Sequence, residues 1–222
     1  MSPRRMLSLL CLASGAALLS CADIAAPSRS IAYEWRHIES TPTGPDTISF
    51  RWPQSRLPVR IWAEDTLNLP PHVQHGIDEW EAAFLYGEFR AVVVSDSSVA
   101  DVIVTGRIAP KGGFSVTRLE SALAPQCAGG TDIIPPPGVR EIEFPVRVFV
   151  YPRFDPSSPG FDECMALTTT HELGHAIGIF AHSPNPDDIM YGDPVVPTLS
   201  SRDRTTAELA YHTEPTLTVA PR

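Results

Sequence analysis

The sequence predicts one α+β domain behind an export segment, and three observations predict it. Valine-rich runs bounded by turn residues read as strands. The stripe Val73, Ile77, Trp80 and Phe84, at spacings of three and four, reads as a helix. The stretch from His171 to Tyr191 carries a histidine pattern that needs a helix followed by a tight turn. A chain of 222 residues with 43% hydrophobic content is long enough for one well-buried core and short for two.

The chain opens with a positive start at Arg4 and Arg5. An apolar run follows from Leu7 to Leu19, broken by small residues and too short to cross a membrane. Residues 1–20 therefore read as a signal peptide. Leu18-Leu19-Ser20-Cys21 resembles a lipoprotein cleavage box that would leave Cys21 as a lipidated first residue, and simple secretion is the alternative. An exported protein is expected, lipid-anchored in the cell envelope or secreted, and a monomer. Removing residues 1–20, which hold two arginines and no acid, takes the net charge from −9 to −11. With Lys111 the sole lysine, no basic stripe exists to neutralise phosphates, which argues against a nucleic-acid partner. Cys127 and Cys164 are the pair left in the body of the chain, and in an oxidising compartment a disulfide between them is expected.

Residues 21–48, mixed and without a sustained period, read as a tether or loosely packed lead-in, and the domain proper as 49–222. Leu57 to Ala63 reads as a first strand. Pro70 and Pro71 then suit a helix start, and His72 and His75 on that helix are expected to face solvent. Phe89 to Ser95 and Ala100 to Ile108 read as strands. Phe114 to Leu119 alternates and is a candidate sheet edge able to pair with an extended peptide. Residues 121–138 read as a Pro- and Gly-rich loop. Val139 to Tyr151 reads as a strand in which Pro145 demands an edge, a bulge or an interruption. A helix capped near Asp162 runs to Gly178, Leu199-Ser200 opens a final helix from Arg202 to Tyr211, and the end from Thr213 is expected to fray.

The stretch HELGHAIGIFAHSPNPDDIMY begins with H-E-x-x-H. One helical turn separates His171 from His175 on a single face, so both can share one ion, and the glutamate lies beside the first. A catalytic zinc needs a third protein ligand and an open position. Gly178 can turn the chain in a left-handed conformation and let His182 approach. The helix, the glycine, the later histidine and Met190 resemble the metzincin metalloprotease signature and, within it, the matrixin branch. One departure stands out. The usual third histidine comes three residues after the glycine, where this chain has Ala181, so His182 is one residue late. The matrixin habit of a His-Ser pair followed by a Met-Tyr pair is kept in register as His182-Ser183 and Met190-Tyr191, which reads as one extra residue in the turn and not as a lost ligand.

The resemblance implies a zincin-like domain: a mixed twisted sheet, an active-site helix and a C-terminal helix. It implies one catalytic zinc on His171, His175 and His182, with Glu172 as general base in hydrolysing a protein or peptide substrate. Met190 is then expected to pack beneath the metal and Tyr191 to line the pocket. It also offers a rival role for Cys127, as a thiolate plug on the zinc, disfavoured because such a plug precedes the catalytic domain. Matrixins often carry a second, structural zinc; no histidine lies between Gly76 and Thr170, so that site is expected to be absent. Asp132, Asp155 and Asp162 are candidate calcium ligands without recognisable spacing. Two rival readings are a catalytically silent zincin-like binding lipoprotein, and a zinc hydrolase of another substrate class with Glu208 as third ligand.

Overall fold

A computed structural model describes residues 31–42, 44–108, 117–121, 127–136, 138–153 and 155–219. Residues 1–20, read as a signal peptide, together with Cys21 and the first part of the span read as a tether, lie outside the described residues. A short hairpin of β1 (His37–Thr41) and β2 (Gly44–Ile48) comes first. One six-stranded sheet then contains β3 (Val59–Ala63), β4 (Ala91–Val93), β5 (Val102–Thr105), β6 (Thr117–Ser121), β7 (Cys127–Ile134) and β9 (Val146–Pro152) in the order β4-β3-β5-β9-β7-β6. β4, β3, β5 and β9 are parallel, while β7 runs antiparallel to β9 and β6 antiparallel to β7. This is a mixed sheet in an α+β fold.

Helix α1 (Leu69–Glu81) has Pro70 and Pro71 in its first turn, where missing N–H groups cost nothing, and it buries Leu69, Val73, Ile77 and Trp80. Each such side chain contributes about 1.5–3 kcal/mol by leaving water. Helix α2 (Phe161–Ala176) packs against α1, β7 and β9, and α3 (Ser201–Tyr211) closes the fold. Ser200 caps α3 in a reciprocal box with Asp203.

Several expectations need correction. The described part of the tether span is folded: Tyr33 and Trp35 are core residues and 37–48 form the hairpin, because two aromatics bury enough area to order a segment that lacks periodicity. Residues 121–138 are not all loop, since Cys127–Ile134 is strand β7, held between β9 and β6. The run from Val139 splits at Pro145 into β8 (Glu141–Ile142) and β9. His72 is buried, its Nε2 3.3 Å from Asp162 Oδ1, while His75 is exposed. The cap of α2 does fall near Asp162: Gly160, at φ +85°, takes that place, and Asp162 and Glu163 lie in the first turn, where acidic groups suit the helix dipole. The C-terminal end is also tied down, as Thr216 and Leu217 donate to the Ser49 carbonyl and β10 (Thr218–Val219) pairs with β8.

Candidate metal centre

Helix α2 runs from exposed acids at its start to complete burial over 168–176, so its second half is surrounded by protein. Of the three buried threonines at 168–170, two have their hydroxyls engaged. Thr168 and Thr170 donate to the carbonyls of Cys164 and Ala166, one turn back. At the far end the orphan carbonyls find partners. Trp52 Nε1 donates to Ala176, the Tyr211 hydroxyl donates to Ile177, and Trp80 Nε1 braces Thr170 from α1.

Gly178 ends the helix with φ +114°. Its N–H donates to His175 O and that of Ile179 to Gly174 O, the paired bonds of a Schellman closure. The next two donors, Phe180 and Ala181, both give to the Trp35 carbonyl at 2.7 and 2.9 Å, and Ser183 N–H gives to Met190 O at 2.7 Å. Neither of those two N–H groups is thus an orphan, and His182 follows directly.

The three histidines then converge. His175 Nε2 lies 3.1 Å from His171 Nε2 and 3.3 Å from His182 Nε2. His171 Nδ1 is 2.6 Å from Ile189 O and His175 Nδ1 is 2.6 Å from Ile179 O. A carbonyl only accepts, so each Nδ1 carries the proton and each Nε2 presents a lone pair to the common centre. Two nitrogens about 2.0–2.1 Å from one ion at the tetrahedral angle lie about 3.3–3.4 Å apart, so these spacings fit a shared ion. Burial pushes the His171 pKa down to about 3 against the Ile189 bond that raises it, and holds His175 and His182 below their ordinary range. Each shift favours the neutral imidazole, the form that binds metal. His171 and His175 are fully buried and His182 is half-buried, so solvent reaches the cluster at His182.

Glu172 lies fully buried beside this centre. Its Oε2 accepts from the Thr131 hydroxyl at 2.7 Å, and a Cβ on Gly129 would fall 2.2 Å from its Oε1. Met190 is buried with its sulfur against Gly174, between the two helical histidines, which is a packing position.

In comparisons with known proteins, no family model matches the chain and no curated protein matches it.

Among the described residues, His171, His175 and His182 form the group able to share one metal ion, and Glu208 on α3 is not part of it. Tyr191 is half-buried and bridges to Ser183. Cys127 and Cys164 form a disulfide with Cα atoms 6.0 Å apart, which pins β7 to the start of α2 and removes Cys127 as a metal plug.

Four features of the site escape sequence reasoning. Thr131 and Gly129 face Glu172 because β7 is a strand, and its glycines hid that. Trp35 lies far from the motif in sequence. Asp188 is buried, accepting from Arg202 Nε at 2.9 Å, from Ser200 at 2.5 Å and from the Ser183 hydroxyl. Asp203 accepts from the Ile189 and Ser200 N–H groups and from the Tyr33 hydroxyl at 2.8 Å. One signal was available for the last: Leu199-Ser200 followed by Asp203 is a capping box.

Proposed function

We propose that the chain is an exported zinc-dependent endopeptidase of metzincin type, in which His171, His175 and His182 hold the ion and Glu172 is the general base. The observation that carries this reading is the convergence of three Nε2 atoms, two pairs of them at 3.1 and 3.3 Å, beside a buried glutamate. Three neutral imidazoles are the donor set of a hydrolytic zinc that keeps a fourth position open. When bound, zinc polarises the substrate carbonyl and lowers the proton affinity of water.

The remaining work falls to the chain. Glu172 takes the proton of the attacking water and passes it to the leaving amine. The Nδ1 bonds to Ile189 and Ile179 fix the two helical imidazoles so that their lone pairs need no reorientation. Met190 supports the helix from below, and Tyr191 lines the pocket of a protein or peptide substrate. Export follows from the signal-like start, with Cys21 as the site of an envelope anchor.

The test is zinc content and casein cleavage by the mature domain and by its Glu172→Ala form. One zinc in both and cleavage by the parent alone is expected. No zinc in either refutes the reading, and zinc without cleavage by the parent removes the peptidase and leaves a metal-binding lipoprotein.

A further inference from the structure

Strand β7 contributes more to the site than a wall. Residues 129 and 131 alternate onto the face that meets α2, and both touch Glu172. Gly129 supplies space: any Cβ there would sit 2.2 Å from Oε1, 2.6 Å from Cγ and 2.7 Å from Cδ of Glu172. Thr131 supplies a donor, and is itself fully buried. Its hydroxyl has one proton and two acceptors within reach, Glu172 Oε2 at 2.7 Å and the Glu172 carbonyl at 3.1 Å. The carboxylate is nearer and charged, so it takes the proton. β7 is in turn held on both edges, with Thr131 opposite Val148 of β9 and Leu119 of β6, so the donor sits on a fixed support.

From this geometry we infer that Thr131 is a positioning residue for Glu172, holding one carboxylate oxygen against β7 so that the side chain is fixed for proton transfer, with Gly129 as the gap that admits it. The inference rests on the reading of Glu172 as general base. A base must lie within hydrogen-bond reach of the proton it takes, and a glutamate side chain with several rotatable bonds does not hold one orientation unaided. The Thr131 bond removes that freedom before substrate arrives. Thr131 is not among the residues that could hold the ion, so its role acts through Glu172.

Three variants test it. Thr131→Val keeps the shape and removes the donor. Its zinc content should equal the parent's, its KM should stay within about twofold and its kcat should fall at least tenfold, the scale of one bond to a charged group. Thr131→Ser, which restores the hydroxyl, should recover most of the lost kcat. Gly129→Ala should displace the carboxylate, keep the zinc and lose kcat as well.

A second readout needs no substrate. In the zinc-free full-length mature protein, urea unfolding is measured for the parent, Thr131→Val, Glu172→Ala and the double variant. If the hydroxyl serves the carboxylate, Thr131→Val lowers the folding constant by about tenfold in the parent and by clearly less once Glu172 is Ala. Additive effects would overturn the contact, and an unchanged kcat in Thr131→Val would overturn the positioning role. Absence of cleavage by the parent would overturn the peptidase reading and with it the positioning role, while the unfolding cycle still decides whether the contact exists.

Discussion

Gly178 is the position where one methyl group should do most damage to the centre without touching a ligand. Its φ of +114° lies where side chains cost strain, about 1–3 kcal/mol. A Cβ there would meet the Phe50 carbonyl oxygen at 2.2 Å, and since that atom is backbone it cannot swing aside. Overpacking of this kind costs about 1–3 kcal/mol more, and the stiffer unfolded chain returns about 0.4–1 kcal/mol. Gly178→Ala should therefore destabilise by about 3 kcal/mol, which in a chain of this size lowers Tm by roughly 6–12 °C. The strain is released through the Trp35-bound turn into His182, so zinc affinity should fall by about 10–100-fold. Circular-dichroism melts with and without chelator, together with competition for zinc against a chromophoric chelator, measure both effects. Gly160→Ala is the control. Its φ is +85° but nothing lies within 4 Å, so it should show the strain alone and leave zinc affinity unchanged. A Gly178→Ala form with a Tm within about 2 °C of the parent and full zinc affinity would refute the reasoning.

Three further outcomes follow from the packing around the site. Asp188→Asn should cost about 2–4 kcal/mol, because the buried carboxylate holds Arg202, Ser183 and Ser200 together. Burial pushes the Asp188 carboxyl up, but hydrogen bonds from Arg202, Ser183 and Ser200 pull it further down, so its folded pKa lies below the ordinary 3.8. That stabilisation is present above pH 3.8 and fades as pH falls through the folded value. Burial raises the neighbouring Asp203, which faces Tyr33 and acts in the opposite sense, so the difference between parent and Asp188→Asn isolates Asp188. Urea melts from pH 6 downward should show that difference shrinking below about pH 3.8. Reducing the Cys127–Cys164 bond, which closes a separation of 37 residues, should cost about 3–4 kcal/mol, read as a lower Tm under reductant. Met190→Leu should keep full zinc by metal analysis and lose less than about 1.5 kcal/mol, since a volume-conserving change preserves packing and the sulfur is not a ligand.

Legibility in the sequence tracked how local the determining physics was. The H-E-x-x-H spacing, the glycine that ends α2 and the cap of α3 act within a turn or two of backbone, and all three elements stand where those signals put them. The pairing of Cys127 with Cys164 was a matter of arithmetic, the two thiols left in the body of the chain. The strand β7 was not legible. Gly129 and Gly130 weaken a strand by propensity, and the ladders from β9 and β6 on either side override it. The burial of Tyr33 and Trp35 was equally hidden, because an irregular strap has no period to betray it.

By itself, then, the sequence determined which side chains form the candidate centre, His171, His175 and His182 with Glu172 beside the first, and the helix and turn on which they ride. Tertiary structure alone decided how those side chains are held. The Trp35 carbonyl that gathers the turn's two spare donors, Thr131 and Gly129 against Glu172, and Arg202 and Asp203 bonded to Asp188 and Ile189 of the Met190 turn all come from outside that stretch. Ligand spacing is set by bonds along the backbone, whereas a partner for a buried polar group is found across space, and no residue pattern encodes which one it is.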